Sequence, residues 1–299
     1  MSNITLTGIA NHAESDVPLN VIFHRGQPRP NKEFILKRPI CKGLPPPTRL
    51  SSQLPEPGKL KLQLSLGRKL GYGRVARVYE ATVDYANSSP ELQQMALPPL
   101  VVKVSRCYEA KQLVREAYYY DEMECLQGSV IPRYYGLFRS TIAPDWNLDP
   151  WRRDPVRGSR TGRSNPQEDD EQSSDEEEVP PPPSKLSILV MERLGGRMPL
   201  GEELPEDLEY LVSLYSNLGR LGVDHVDIRY YNILRAPSKS PLPSLPSPFT
   251  QRTYEWRIVD FNKSYKSNET LTGFHYYYKS YLHRLLINLP WKDIWEPWD

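Results

Sequence analysis

Residues 152–183 set the first limit on what this chain can fold into. Five arginines fall in 152–163, then comes EDDEQSSDEEE, then four consecutive prolines. Such a stretch has almost no apolar area to offset its ordering entropy, so it predicts a disordered insertion, about 144–184 with its flanks. The insertion parts two β-branched runs, YYGLFR (134–139) and LSILVME (186–192), and any domain must close around it. Proline is abundant elsewhere too, 30 in 299 residues. SKSPLPSLPSPFTQR predicts a second disordered insertion at about 236–252, and residues 1–58, with QPRP, LPPP and LPEPG, predict an irregular N-terminal arm. Within that arm, Phe34 to Ile40 is a candidate edge strand.

Order is expected from Leu60. LKLQLSLG alternates Leu60, Leu62, Leu64 and Leu66 on one face, the period of a strand. VARVYEATV (75–83) and LVVKV (100–104) are further β-branched runs. From about Cys107 to Leu126 the period becomes helical, with Leu113, Ala117 and Tyr120 on one stripe and Glu116 inside it. A second helix is expected over 204–222, with Leu208, Leu211, Val212, Tyr215 and Leu218 together. Short strands follow at 232–234 and 256–260, then a last helix over about 274–289 with Phe274, Tyr278, Tyr281, Leu282, Leu285 and Leu289 on one face.

Five features carry chemistry. LGYGRVARVY (70–79) is a glycine-rich turn between two strands, where missing Cβ atoms would let backbone amides approach phosphate oxygens; an ordinary hairpin turn is the simpler alternative. Lys103 is a charge in the middle of an apolar strand, and an outward-reaching edge lysine would explain it alone. Glu116 lies on the buried stripe of the following helix, with Glu109 and Glu124 as rivals at its ends. Opposite charges on two apolar faces are less costly if they meet, which makes the pair more informative than either member. HVDIRYYNIL (225–234) sets Asp227 and Asn232 five apart around Arg229, and IVDFN (258–262) ends an apolar strand on Asp260. Each of the last two is also an ordinary turn or cap.

In this order the features resemble the protein kinase superfamily, most of all its compact atypical forms, the short fungal kinase-like proteins and the Rio type. Gly71-x-Gly73-x-x-Ala76-x-Val78 is similar to the family's glycine loop, VVKV with Lys103 to its strand-lysine motif, and Glu116 to its helix glutamate. ILVMERLGG resembles its hinge. The resemblance implies Met191 as gatekeeper, with Glu192 and Leu194 offering backbone groups to adenine. HVDIRYYN resembles the catalytic loop, which implies Asp227 as base, Asn232 as a metal ligand and Arg229 as a phosphate contact. Asp260-Phe261-Asn262 is similar to DFG and implies Asp260 as the other metal ligand. Ala76, Val226 and Asn262 depart from the pattern, and no APE motif follows.

The resemblance implies an α+β, two-lobed kinase-like fold over 59–299. Its N-lobe (about 59–194) would be an antiparallel sheet plus one helix, and its C-lobe (about 195–299) truncated and mainly helical. It implies an ATP-dependent kinase using Mg²⁺ to move the γ-phosphoryl group to a hydroxyl, with protein Ser or Thr as the expected acceptor. Two alternatives stay open: a pseudokinase that binds nucleotide or partners without transfer, and a small-molecule phosphotransferase. The formal net charge of +1 gives no reason to expect nucleic acid or a membrane surface as partner. Cys41, Cys107 and Cys125 are too scattered for a disulfide framework or a zinc site. With no secretory signal pattern at the N-terminus, the expected location is intracellular, cytoplasmic or nuclear.

Overall fold

The computed structural model describes residues 1–28, 34, 45–53, 58–72, 75–105, 110–143, 145–148, 185–198 and 208–288. Its first elements are β1 (Asn3–His12) and β2 (Pro18–Gly26), an antiparallel hairpin. Ile4, Leu6, Val21 and Phe23 are buried, whereas Asn20, Ile22 and His24 alternate outward. β3 (Lys61–Tyr72), β4 (Ala76–Val83), β5 (Leu100–Ser105), β6 (Tyr134–Thr141), β7 (Trp146–Leu148) and β8 (Lys185–Glu192) follow. The hydrogen-bonded order is β2-β6-β8-β5-β4-β3-β1, and β1 pairs back with β2, so seven strands close into a barrel. Every junction of the ring is antiparallel except β1–β3, which is parallel from Asn3 opposite Lys61 to Thr7 opposite Ser65. β7 lies outside the ring on the end of β1, Ala10–His12.

This architecture overturns the two-lobed, kinase-like fold expected from the motifs. An open N-lobe sheet would end at two edges, and here β1 and β2 bridge those edges, joining β3 to β6. The strands that do so come from the segment expected to be an irregular arm. Gly8 lets β1 serve two partners. Its φ of +85° sits at the register break between Thr7 and Asn11, where the strand leaves β3 and reaches β7.

The closed sheet separates two cores. Leu6, Phe23, Leu64, Val102, Phe138 and Val190 belong to the cluster that fills the barrel. On the outer face, Val101, Leu137, Leu189 and Met191 join a second cluster with the helices. β5 is buried on both faces, so its alternation sends Val102 and Val104 inward and Val101 and Lys103 outward.

The helices are α1 (Pro90–Gln93), α2 (Ala110–Glu122), α3 (Leu208–Arg220) and α4 (Leu271–Asn288). α2 buries Leu113, Glu116, Ala117 and Tyr120, and α3 buries Leu211, Val212, Tyr215 and Leu218, as their periods predict. On α4, Phe274, Tyr278 and Leu282 are buried, but Tyr281 is exposed. A Cβ on Gly219 would sit 2.8 Å from the Phe274 ring, so the close approach of α3 to α4 needs glycine there. Short strands β9 (Val223–Asp224), β10 (Ile233–Arg235), β11 (Trp256–Ile258) and β12 (Tyr265–Lys266) form two small antiparallel pairs, β9 with β12 and β10 with β11.

The Pro/Ser-rich segment 236–252 is placed, not disordered. Buried Arg257 donates to the Gly128 carbonyl (3.0 Å) and to Ser244 Oγ (2.7 Å), and the Ser247 hydroxyl donates to the Asn217 amide oxygen. Pinned polar side chains, with Phe249 packed against the outer core, hold the segment. Of the other insertion, 145–148 is described and includes β7; residues 149–184 lie outside the described residues, as do 35–40 of the candidate edge strand. Among the described residues, no helix is long and apolar enough to cross a membrane.

Candidate functional site

Lys103 reaches from the outer face of β5 toward α2. Its Nζ donates to Glu116 Oε2 at 2.7 Å and to Asp260 Oδ1 at 2.8 Å. Burial opposes the ammonium charge, but the Asp260 and Glu116 carboxylates outweigh it and raise its pKa. The two carboxylates diverge. Burial pushes Glu116 up, with Asp260 adding and Lys103 opposing. Burial also works to raise Asp260, yet Lys103 at hydrogen-bond distance brings it below its ordinary value. Asp260 therefore holds the negative charge, and Glu116 is the first of the pair to take a proton. Glu124, a rival for the helix glutamate, instead accepts from the Ser52 hydroxyl and the Gln53 amide. Glu109 lies outside the described residues.

Lys103 stands in a row that crosses the barrel wall: Gly71 opposite Val78, Val78 opposite Lys103, Lys103 opposite Leu189. Neither packing nor backbone demands glycine at 71. Among the described residues, chain neighbours aside, a Cβ there would meet nothing within 4 Å, and its φ is outside the left-handed region. Among the described residues the space above Gly71 is open. Gly73 lies outside the described residues.

The second half of the site is built by the short hairpin β10–β11. Ile233 pairs with Ile258, and the Val259 amide donates to the Asn232 carbonyl (3.0 Å), which sets Asn232 beside the chain entering Asp260. Asp260 takes the left-handed conformation, φ 67° and ψ 67°. Asn262 lies in the following 3-10 turn, Phe261–Lys263, without a positive φ. The loop from 225 to 232 is tied to this hairpin. His225 Nε2 is 3.0 Å from the Val259 carbonyl, and Asn232 Nδ2 donates to the Asp227 carbonyl at 2.8 Å. Phe261 packs edge-on against both Tyr120 of α2 and His225, so the loops and the helix share one aromatic anchor.

Asp227 is held between two cations. Its carboxylate meets Arg229 Nε at 2.7 Å on one oxygen and Lys263 Nζ at 3.3 Å on the other. Lys263 had no signal in the sequence, being one charge in a polar loop. Glu192 accepts the Arg133 guanidinium (2.8 Å) and amide (3.1 Å) on its carboxylate, and its own amide donates to the Arg133 carbonyl. Met191 is buried on β8 within the outer core, and Leu194 follows half-buried.

The structure thus brings together Lys103, Glu116 and Asp260 by direct contact, and Asp227, Arg229 and Asn232 through the tied loops. The donor set is oxygen-rich and suits a hard cation. Among the described residues no three His, Cys, Asp or Glu gather into a metal cage. Mg²⁺, however, is usually held by one or two carboxylates together with substrate phosphates. No protein-family model matches the chain, no curated protein matches it in sequence, and the closed barrel overturns the kinase assignment.

Proposed function

We propose that this chain is a Mg·ATP-dependent phosphotransferase acting on a hydroxyl. The observation that carries the reading is the buried Lys103 held between Glu116 and Asp260, with space above Gly71 on the same row of strands. Phosphoryl transfer asks for charge neutralisation and alignment more than covalent chemistry. Lys103 is the cation for the phosphates, and Glu116 holds its ammonium in place. Asp260 and Asn232 would hold Mg²⁺, which when bound offsets the charge of the phosphate oxygens. Asp227 orients the acceptor hydroxyl and receives its proton.

A second reading, nucleotide binding without transfer, is favoured by one feature: both Asp227 oxygens already face cations. Two measurements decide. Mg·ATP at about 100 times its Kd should add about 2.7 kcal/mol, a melting shift on the order of 5–10 °C. A flat titration of the folded protein removes both readings. Labelled γ-phosphate appearing in an acceptor keeps the first and removes the second.

A further inference from the structure

The two halves of the site carry opposite charge. Lys103 with Glu116 and Asp260 sums to −1, and Asp227 with Arg229 and Lys263 sums to +1 by formal charge. In the first half Asp260 is the more exposed carboxylate, at 27% against 1% for Glu116. In the second, Asp227 is largely buried, at 12% side-chain exposure, while Arg229 and Lys263 are 49% and 44% exposed. The carboxylate is thus covered and the two cations face solvent on either side of it. An anion arriving there meets two positive groups, with Asp227 behind them and the Tyr231 hydroxyl also bonded to Arg229. Val226, the exposed apolar residue next to Asp227, and the edge-on Tyr230–Tyr231 ring pair bound the same loop.

We infer that the phosphoacceptor is a serine flanked by acidic residues in a peptide segment, selected by Arg229 and Lys263; this rests on the phosphotransfer reading. The chain itself contains a segment of that chemistry. In EDDEQSSDEEE, Ser173 and Ser174 have acidic residues on both sides. Charge complementarity between that run and the Arg229–Lys263 pair makes this segment, from the same or a second copy, the first acceptor to try. In the transfer, the serine oxygen bonds to the γ-phosphorus as the bond from that phosphorus to the β,γ-bridging oxygen breaks. The hydroxyl proton passes to Asp227, and the products are phosphoserine and ADP.

The test uses the full chain, Mg·ATP labelled in the γ-phosphate, and two synthetic peptides. One has the sequence of residues 167–179; the other carries Gln and Asn in place of its Glu and Asp. The acidic peptide should be the better substrate by about fivefold or more in kcat/KM, the scale of one exposed ion pair, and the preference should shrink as salt rises. Lys263→Gln should bring the ratio between the peptides toward one. A ratio is insensitive to a general loss of activity, so a merely structural part for Lys263 would leave it unchanged. Equal use of both peptides by the wild-type chain, or a ratio unmoved by Lys263→Gln, overturns the inference. Label in neither peptide also overturns it, and the Mg·ATP melting shift then reports separately on the phosphotransfer site.

Discussion

Lys103 is where stability and proposed chemistry meet, and the two can be separated by substitution. Lys103→Met leaves two carboxylates facing each other without a cation, and removing one partner of a buried pair costs about 3–5 kcal/mol. Adding Glu116→Gln should return a large part of that loss, since Glu116 is the deeper carboxylate and burial already disfavours its charge. The double variant should still show no Mg·ATP melting shift. Urea midpoints and thermal titrations on the three proteins check this; a shift that persists in the double variant removes Lys103 from the nucleotide site. At this scale the sequence was informative wherever a charge broke an apolar pattern. Lys103, Glu116 and Asp260 each did so, and all three meet. Lys263 broke no pattern, because a charge in a polar loop is the usual state. Its pairing with Asp227 depends on a turn at Asp260 that no periodicity reports.

Among the elements, the β9–β12 pair shows how a short strand can carry an electrostatic burden. It is two residues long on each side, with Asp224 opposite Tyr265 and Val223 opposite Lys266. Lys266 is matched by Glu122 at 2.7 Å, but Asp224 Oδ1 is buried without a hydrogen-bond partner. Burial, with Glu269 adding to it, pushes the Asp224 carboxyl up to about 6. The folded form therefore keeps a proton that the unfolded chain releases near its ordinary pKa of 3.8. This contribution is intact below about pH 4 and is lost as pH rises through about 6. Asp224→Asn should thus stabilise the protein by about 1–2 kcal/mol at pH 7.5 and hardly at all at pH 4. Urea midpoints at the two pH values test it, and an equal gain at both would refute the burial account. Helices α2 and α3 were legible because a 3.6-residue stripe persists over three turns. The ordered loop 236–252 was not, because what pins it is Arg257, a basic residue inside the short strand β11.

For the whole molecule, closure of the barrel was the feature hidden from the sequence. β1 carries its inward pair Ile4 and Leu6, then breaks register at Gly8, so its alternation is too short to stand out. β2 buries Val21 and Phe23 in the interior, with Leu19 half-buried against it. Such a pattern is compatible with an arm until β3 and β6 supply partners on either side. The structure makes these strands indispensable. A chain lacking residues 1–26 would leave unpaired edges on β3 and β6 and open the inner core to water. It should lose its cooperative urea transition and associate in size-exclusion chromatography. A monomer that still melts cooperatively would mean that the barrel need not close.

The parallel β1–β3 junction also bears on how the chain is made. Synthesis delivers the β1–β2 hairpin first, yet its partners β3 and β6 come later, and the ring is complete only with β8 at Lys185–Glu192. At about 5–20 residues per second, the ribosome takes on the order of ten to thirty seconds to pass from Gly26 to Glu192. Within that interval β1 can pair once β3 is made, but β2 waits for β6 and the ring for β8. The nascent chain is thus a ribbon awaiting its ring, and its most exposed moment comes before its last strand has been translated.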